Sequence, residues 1–380
     1  MNPIYLDNAA TTPIDEQVID VMCQSMLTNN GNPSSIHQFG RKAKASVETA
    51  RKNIAKHLNV TASEIIFTAG GTEADNLILQ NAVTNLGVEV IITTKIEHHA
   101  VLHTCDYLRK TYGTNIRYVQ VNELGEIDID HLEQLLNENK NTSCLVSLMY
   151  INNEIGNILP IDLICDLCHT YGALFHSDTV QAIGHYPIDL QKTPVDFIVA
   201  SAHKFHGPKG VGFAYFKKGF GIAPMLHGGN QEKGARSSTE NVHGILGMEK
   251  ALSIAIDSME KDKDHMIALK SHFIASLQTH IAQVGFNGNS ADLEKSSCTI
   301  LSTRFAKAND MLLFTLDLKG IAVSGGSACQ SGSSGGSHVL NEILTDKEAN
   351  EVSIRFSFSK QTSKEAIDDT IEVLRALLES

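Results

Sequence analysis

Lys204 stands in the stretch SAHKFHGPKG, residues 201–210, directly after the apolar run VDFIVA. His203 and His206 flank it, followed by Gly207, Pro208 and Gly210. The run has the make-up of a buried strand that ends at a turn. Lysine at the carboxyl end of such a strand is an odd choice for packing, but it suits a Schiff-base amine. Burial disfavours the ammonium and moves the group toward its nucleophilic neutral form. A lysine beside a glycine turn can also simply snorkel to water, so the choice rests on what gathers around it.

Three other segments carry matching chemistry. EIIFT runs into AGGTEADN, so a strand meets Gly70 and Gly71 and then Thr72 at a helix start. Glycines permit close backbone approach, and free N–H groups at a helix start attract an anion such as phosphate. VIITTKIEHHAV puts His98 just past a strand end, where an imidazole can stack on a flat ring or act as a base. ALFHSDTVQ places Asp178 past a buried strand, with Gln181 three residues on. A buried carboxylate is costly unless it meets a cation, and a protonated pyridine nitrogen would supply one. Together with Lys204, preceded by Ser201 and His203, these are the parts that hold pyridoxal 5'-phosphate.

The chain resembles the cysteine desulfurases, class V members of the fold type I pyridoxal-phosphate enzymes, over essentially its whole length. The motifs that carry the resemblance are YLDNAATTP, NNGNPSSIHQFG, FTAGGTEADN, EHHAV, NNEIG, SDTVQAIGH, SAHKFHGPKG, LHGGN, the GSAC around Cys329 and the SIRFS around Arg355. The resemblance implies that Lys204 forms the Schiff base and later shuttles protons at the substrate Cα. It implies that Asp178 bonds the pyridinium nitrogen, that His98 stacks on the ring and that Gln181 contacts its phenolic oxygen. Gly71, Thr72, Ser201 and His203 would hold the phosphate, with Thr239 arriving from a second subunit of a homodimer. Asn153 and Arg355 would grip the substrate carboxylate, and Cys329 would accept the sulfur.

The activity so implied takes sulfur from L-cysteine, giving L-alanine and a persulfide on Cys329. That sulfur would pass to an acceptor protein, an iron–sulfur scaffold or a thiolation enzyme. A selenocysteine lyase or another class V, aminotransferase-like enzyme is the alternative within the fold, but an aminotransferase has no need of a mobile thiol. A non-catalytic sulfur-relay partner would be expected to lack Lys204, Asp178 or Arg355, and all three are present. Cys329 and Arg355 stand 26 positions apart, which resembles the long-loop group I branch. Residues 324–337, SGGSACQSGSSGGS, are eleven of fourteen glycine or serine, a composition that behaves as flexible coil.

The elements that must position these groups follow from the pattern. Strand-like runs at 64–68, 88–94, 116–121, 143–151, 173–177, 195–200 and 210–216 alternate with helical segments such as Asp128–Asn139 and Ile161–Tyr171. Such alternation predicts an α/β fold with a mostly parallel seven-stranded sheet, its ligand at the carboxyl ends of the strands. From Asn241 a single long helical pattern runs to about Val284, followed by strands at 298–305, 320–325 and 351–358 and a helix over Ser363–Leu378. The expected division is a large domain over 13–254 and a smaller α+β domain from 1–12 and 255–380.

Composition narrows the partners. A net charge of -12 argues against binding a phosphate backbone, so no nucleic acid is expected. No apolar segment approaches the roughly 20 residues that span a bilayer, and MNPIYLDNAATTP lacks the features of an export signal. Seven cysteines without framework spacing favour reduced thiols and a cytoplasmic protein. Cys165 and Cys168 form a C-x-x-C without a second pair, so they read as packing residues and no metal is expected. Cys23, Cys105, Cys144 and Cys298 read as core on the same grounds.

Overall fold

Near-continuous runs of Val, Ile, Phe and Ala can be buried on both faces only in a sheet sandwiched by helices. The computed structural model, which describes residues 3–306, 308–325 and 336–378, has such a sheet. After β1 (Ile4–Tyr5) come β2 (Ile65–Thr68), β3 (Val90–Thr93), β4 (Asn115–Tyr118), β5 (Cys144–Ser147), β6 (Leu174–Asp178), β7 (Phe197–Ser201) and β8 (Gly212–Phe216). The last seven form one sheet in the order β2-β8-β7-β6-β5-β3-β4. The ladders from β7 through β6, β5 and β3 to β4 are parallel, while β8 runs antiparallel to both β2 and β7. All seven sequence-predicted strands of this region are therefore present.

Because β2, β3, β5, β6 and β7 all run the same way, their carboxyl ends share one edge. The order turns back between β3 and β5, which leaves a crevice outside those ends. The glycine turn after β2, the His98 segment after β3, Asp178 on β6 and the Lys204 turn after β7 all reach it.

The rest of the chain adds β9 (Val284–Phe286), β10 (Ile300–Phe305), β11 (Ile321–Ala322) and β12 (Val352–Ser357). Strand β10 pairs antiparallel with β9 and β12, and β1 pairs parallel with β11. Ile4 and Leu6 join Phe273, Leu301, Phe356 and Leu374 in a second apolar core. The first residues are stitched to this part by Asn8 Nδ2 donating to Ser357 O at 2.8 Å and Ala9 N donating to Ser357 Oγ at 2.8 Å.

Three expectations need correction. The long helix after Asn241 is two helices, Val242–Asp257 and Met259–His280. Ser258 separates them at φ -106° and ψ 3°, and its hydroxyl bonds Ile254 O and the Asp262 carboxylate. Strands β1 and β9, of two and three residues, are too short to leave a periodic signal. Cys23 is exposed on the helix Glu16–Thr28, whereas Cys105, Cys144, Cys165, Cys168 and Cys298 are buried.

One buried ion pair fixes a loop that borders the site. Arg51 donates to both Glu232 carboxylate oxygens, at 2.6 and 2.8 Å, and Phe67 N donates to the same carboxylate at 2.9 Å. Glu232 has φ 46° and Lys233 φ 57°, left-handed values that non-glycine residues adopt only when surroundings impose them. Removing one partner leaves a buried charge unpaired. Arg51→Met is therefore expected to lower unfolding free energy by about 3–5 kcal/mol in a urea titration.

Candidate active site

The site begins with backbone geometry. Gly70 sits at φ 156°, and a Cβ on Gly71 would meet Val180 Cγ2 at 2.6 Å. A side chain would be strained at Gly70 and would collide at Gly71, so the helix Gly71–Thr84 opens directly onto the crevice with no capping side chain at position 70. Its first N–H groups, with Ser201 at the end of β7 and His203 just beyond, make an anion cradle. Glu73 secures the turn by accepting from Ala69 N at 2.8 Å and binding Arg236 with both oxygens, at 2.7 and 3.1 Å.

Beneath the cradle lies a cavity of about 290 Å³. Gly71, Thr72, His98, Asn153, Asp178, Gln181, Ser201, His203, Lys204 and Arg355 are among the residues that line it. The structure thus brings together ten of the residues singled out from sequence. Thr239 is exposed and does not line the cavity of its own chain, and Cys329 lies outside the described residues.

Lys204 Nζ donates to Ala9 O at 2.5 Å and Ala10 O at 3.0 Å. Its main chain is held by a 3.0 Å contact between Lys204 O and His185 Nε2, and Thr12 N donates to His203 O at 2.9 Å. Asp178 accepts from Val180 N at 2.9 Å. Burial raises its pKa above the usual carboxylate range, against the pull of His98 and Lys204. Gln181 Nε2 donates to Ala9 O at 3.0 Å.

His98 caps the helix His99–Tyr112: its Nδ1 accepts from Ala100 N at 3.1 Å. That bond assigns the ring proton to Nε2. Burial lowers its pKa, so the imidazole is neutral at pH 7. Burial, with Lys204 and Lys209 adding to it, pushes His203 down to about 4. Arg355 is 2% exposed. Its Nη1 donates to Asn153 O at 2.7 Å and its Nη2 to Asp7 Oδ1 at 3.0 Å. Arg355 Nε is buried with no partner among the described residues.

Comparison with known proteins follows the same lines. The family described as Aminotransferase class-V matches residues 4–369. The chain belongs to the class V aminotransferase family. Within that family it is 41% identical, over 99% of its length and 94% of the relative's, to cysteine desulfurase IscS of Dictyoglomus turgidum. It is also 41% identical to the putative cysteine desulfurase IscS 1 of Bacillus subtilis, covering 97% of this chain and 96% of the relative. Among solved structures, a NifS-like protein superposes with TM-score 0.91 at 36% identity, covering 99% of both chains. SspA in complex with cysteine gives TM-score 0.81 at 28% identity, covering 95% of this chain and 100% of that one.

Sequence reasoning missed several residues that border this cavity. The Ala9 and Ala10 carbonyls meet Lys204 across more than 190 positions, and Asp7 meets Arg355 across 348. Neither contact leaves a local pattern. Asp75 also lines the cavity. Its signal was present: it stands on the helix face of Gly71, Ala74, Ile78 and Ala82, a polar residue in a buried stripe.

Proposed function

We propose that this chain is a pyridoxal-phosphate-dependent cysteine desulfurase, which converts L-cysteine to L-alanine while Cys329 takes the sulfur. The observation that carries this reading is one cavity holding an amine, a buried carboxylate, a stacking imidazole, an anion cradle and a guanidinium, Lys204, Asp178, His98, Thr72 and Arg355 among them. These groups fit the cofactor. The cradle suits its phosphate, the neutral face of His98 suits its ring, and the Asp178 carboxylate suits a protonated ring nitrogen. When bound, pyridoxal phosphate supplies an electron sink for bonds at the substrate α-carbon.

The chain's own groups do the rest. Lys204 binds the aldehyde end and carries the proton at the substrate Cα. Asp178 keeps the ring nitrogen protonated, and Gln181 orients the phenolic oxygen. Arg355 and Asn153 hold the substrate carboxylate, for which Arg355 Nε is a ready donor. The Cys329 thiolate forms an S–S bond to the substrate sulfur as the carbon–sulfur bond breaks, leaving L-alanine and a persulfide. A thiol with pKa near 8.5 is only a few per cent ionised at pH 7.

A homodimer belongs to the same proposal, with Thr239 of a second copy completing the phosphate side. Two features support it. An open cleft of about 760 Å³ adjoins Thr72, Ser201 and His203, and Leu27 and Ile36 are 76% and 90% exposed. The division at 12/13 and 254/255 into two domains is likewise proposed. It rests on the two separate apolar cores and on β1 pairing with β11. An iron–sulfur scaffold or thiolation enzyme in the cytoplasm is the proposed acceptor. Among the described residues no helix is long and apolar enough to cross a membrane.

Purified protein incubated with pyridoxal phosphate, a thiol reductant and L-cysteine should turn yellow and release L-alanine and sulfide in equal amounts. Turnover of L-selenocysteine alone would move the reading to a lyase. Amino transfer to a 2-oxo acid without sulfide would overturn it.

A further inference from the structure

Behind Asp178 lies a file of polar side chains that the mechanism above does not use. His176 and Asp178 are alternate residues of β6 and so face the same side of the sheet. His176 pairs in register with Ser147 on β5. Its Nδ1 lies 2.9 Å from Ser147 Oγ, and its Nε2 lies 3.4 Å from Asp75 Oδ1. Ser147 and His176 are fully buried, and Asp75 is 1% exposed. One oxygen of Asp75, one of Asp178 and one ring nitrogen of His98 all lie within 4.8 Å of each other.

We propose that Asp75, held from behind by His176 and Ser147, is a positioning residue that stays a neutral acid and fixes the Asp178 carboxylate for the cofactor's ring nitrogen. The inference rests on the proposed pyridoxal-phosphate site. Two carboxylates this close in an enclosed site do not both ionise, so one of them keeps a proton. Asp178 is the one favoured to ionise, because Val180 N donates to it at 2.9 Å and the Lys204 amine stabilises its anion. Asp75 faces the acids Asp178 and Glu97, and with burial they push its pKa well above the carboxylate range.

His176 cannot replace that proton with a charge of its own. Burial pushes it down to about 3, so the ring is neutral and carries a single N–H. With the Ser147 hydroxyl donating to Nδ1, the ring proton sits on Nε2, 3.4 Å from Asp75 Oδ1, and among the described residues neither Nε2 nor Oδ1 has a hydrogen-bond partner. The acid proton of Asp75 then belongs on its other oxygen, because Oδ1 lies against the imidazole N–H at 3.4 Å. As a neutral acid, Asp75 adds a donor beside Asp178 without adding a second negative charge.

Two variants separate this role from simple packing. Asp75→Asn keeps the shape and a donor, while Asp75→Leu keeps the bulk and loses both polar atoms. With aspartate carboxyls labelled with carbon-13, infrared spectra at pH 7 should show a protonated carboxylic acid in wild type, with or without pyridoxal phosphate. That band should be missing from Asp75→Asn. The Asn variant should bind pyridoxal phosphate within about twofold of wild type, whereas the Leu variant should bind it about tenfold or more weakly. In the loaded protein, the pH midpoint of the yellow chromophore should be unmoved by Asp75→Asn. An ionised Asp75 would instead lower that midpoint when removed, since an anion stabilises a nearby cation.

Unchanged acid bands in Asp75→Asn, a lowered midpoint, or wild-type cofactor affinity in a folded Asp75→Leu would each overturn the proposal. Should the Leu variant fail to fold, the spectra of the Asn variant still decide. Wild-type protein that binds no pyridoxal phosphate would instead refute the proposed function, with the infrared result standing apart from it.

Discussion

Lys204→Ala protein is expected to form no borohydride-trappable bond to pyridoxal phosphate and to make alanine from cysteine about 10²–10⁴-fold more slowly than wild type. Among the described residues the Lys204 side chain is the one amine lining the cavity, and backbone carbonyls aim it. Two carbonyls of the amino-terminal segment hold Nζ, while His185 holds the lysine's own carbonyl. Both carbonyls accept from neutral and charged amine alike, so they fix direction without demanding the ammonium. Borohydride reduction of loaded wild-type protein followed by peptide mapping supplies the decisive check. Coenzyme found on Lys209, or on any lysine outside residues 201–210, would sink the assignment.

Cys329→Ser should behave in the opposite way. It is expected to keep the colour and the cofactor affinity, yet to lose sulfide release by about 10³-fold or more, since a hydroxyl cannot form the disulfide-type bond that receives sulfur. Cys329 itself lies outside the described residues, but the chain on either side is held beside the cavity. Ser324 forms an antiparallel bridge with Arg355, and its hydroxyl donates to Asp7 at 2.8 Å. On the other side Ser337 donates to Glu154, next to Asn153, and His338 Nε2 lies 2.8 Å from Glu97 O, next to His98. Both ends of the segment thus rest on neighbours of cavity-lining residues. Normal turnover by the serine variant, followed by quantifying alanine, would exclude Cys329 as the acceptor.

How much of this was legible depends on range. The central strands were readable because a strand buried on both faces must be apolar throughout, as IIFT, VIIT and FIVAS are. Residues just past those strands could then be assigned to one edge, which is why Lys204, Asp178 and His98 emerge together. Strands β1 and β11 hold only two residues each, and their pairing is a tertiary fact. The break at Ser258 was hidden because DSMEKDKD is as compatible with helix as with a pause. Asp7 was missed as an Arg355 partner because nothing local relates positions 348 apart. The exposed Cys23 was misread because its helix carries only two buried residues, Val18 and Ser25, and an apolar run there does not mean core.

The stitching of the first residues onto β11 and β12 bears on how the protein is made. A nascent chain that has emerged only to residue 300 already contains the lysine, the aspartate and the histidine of the cavity. It still lacks the strand that holds Leu6, the serine that anchors Asn8 and Ala9, and the arginine that pairs with Asp7. Chains emerge amino-terminus first, and segments fold when their contacts become available. The strand pairing of Ile4–Leu6 and the anchoring of Asn8 must therefore wait for nearly the whole of translation, although Ala9, Ala10 and Thr12 meet partners that emerge much earlier. A product truncated near residue 300 would keep the carbonyls that meet Lys204 but lose the strands and the arginine that pin the segment carrying them.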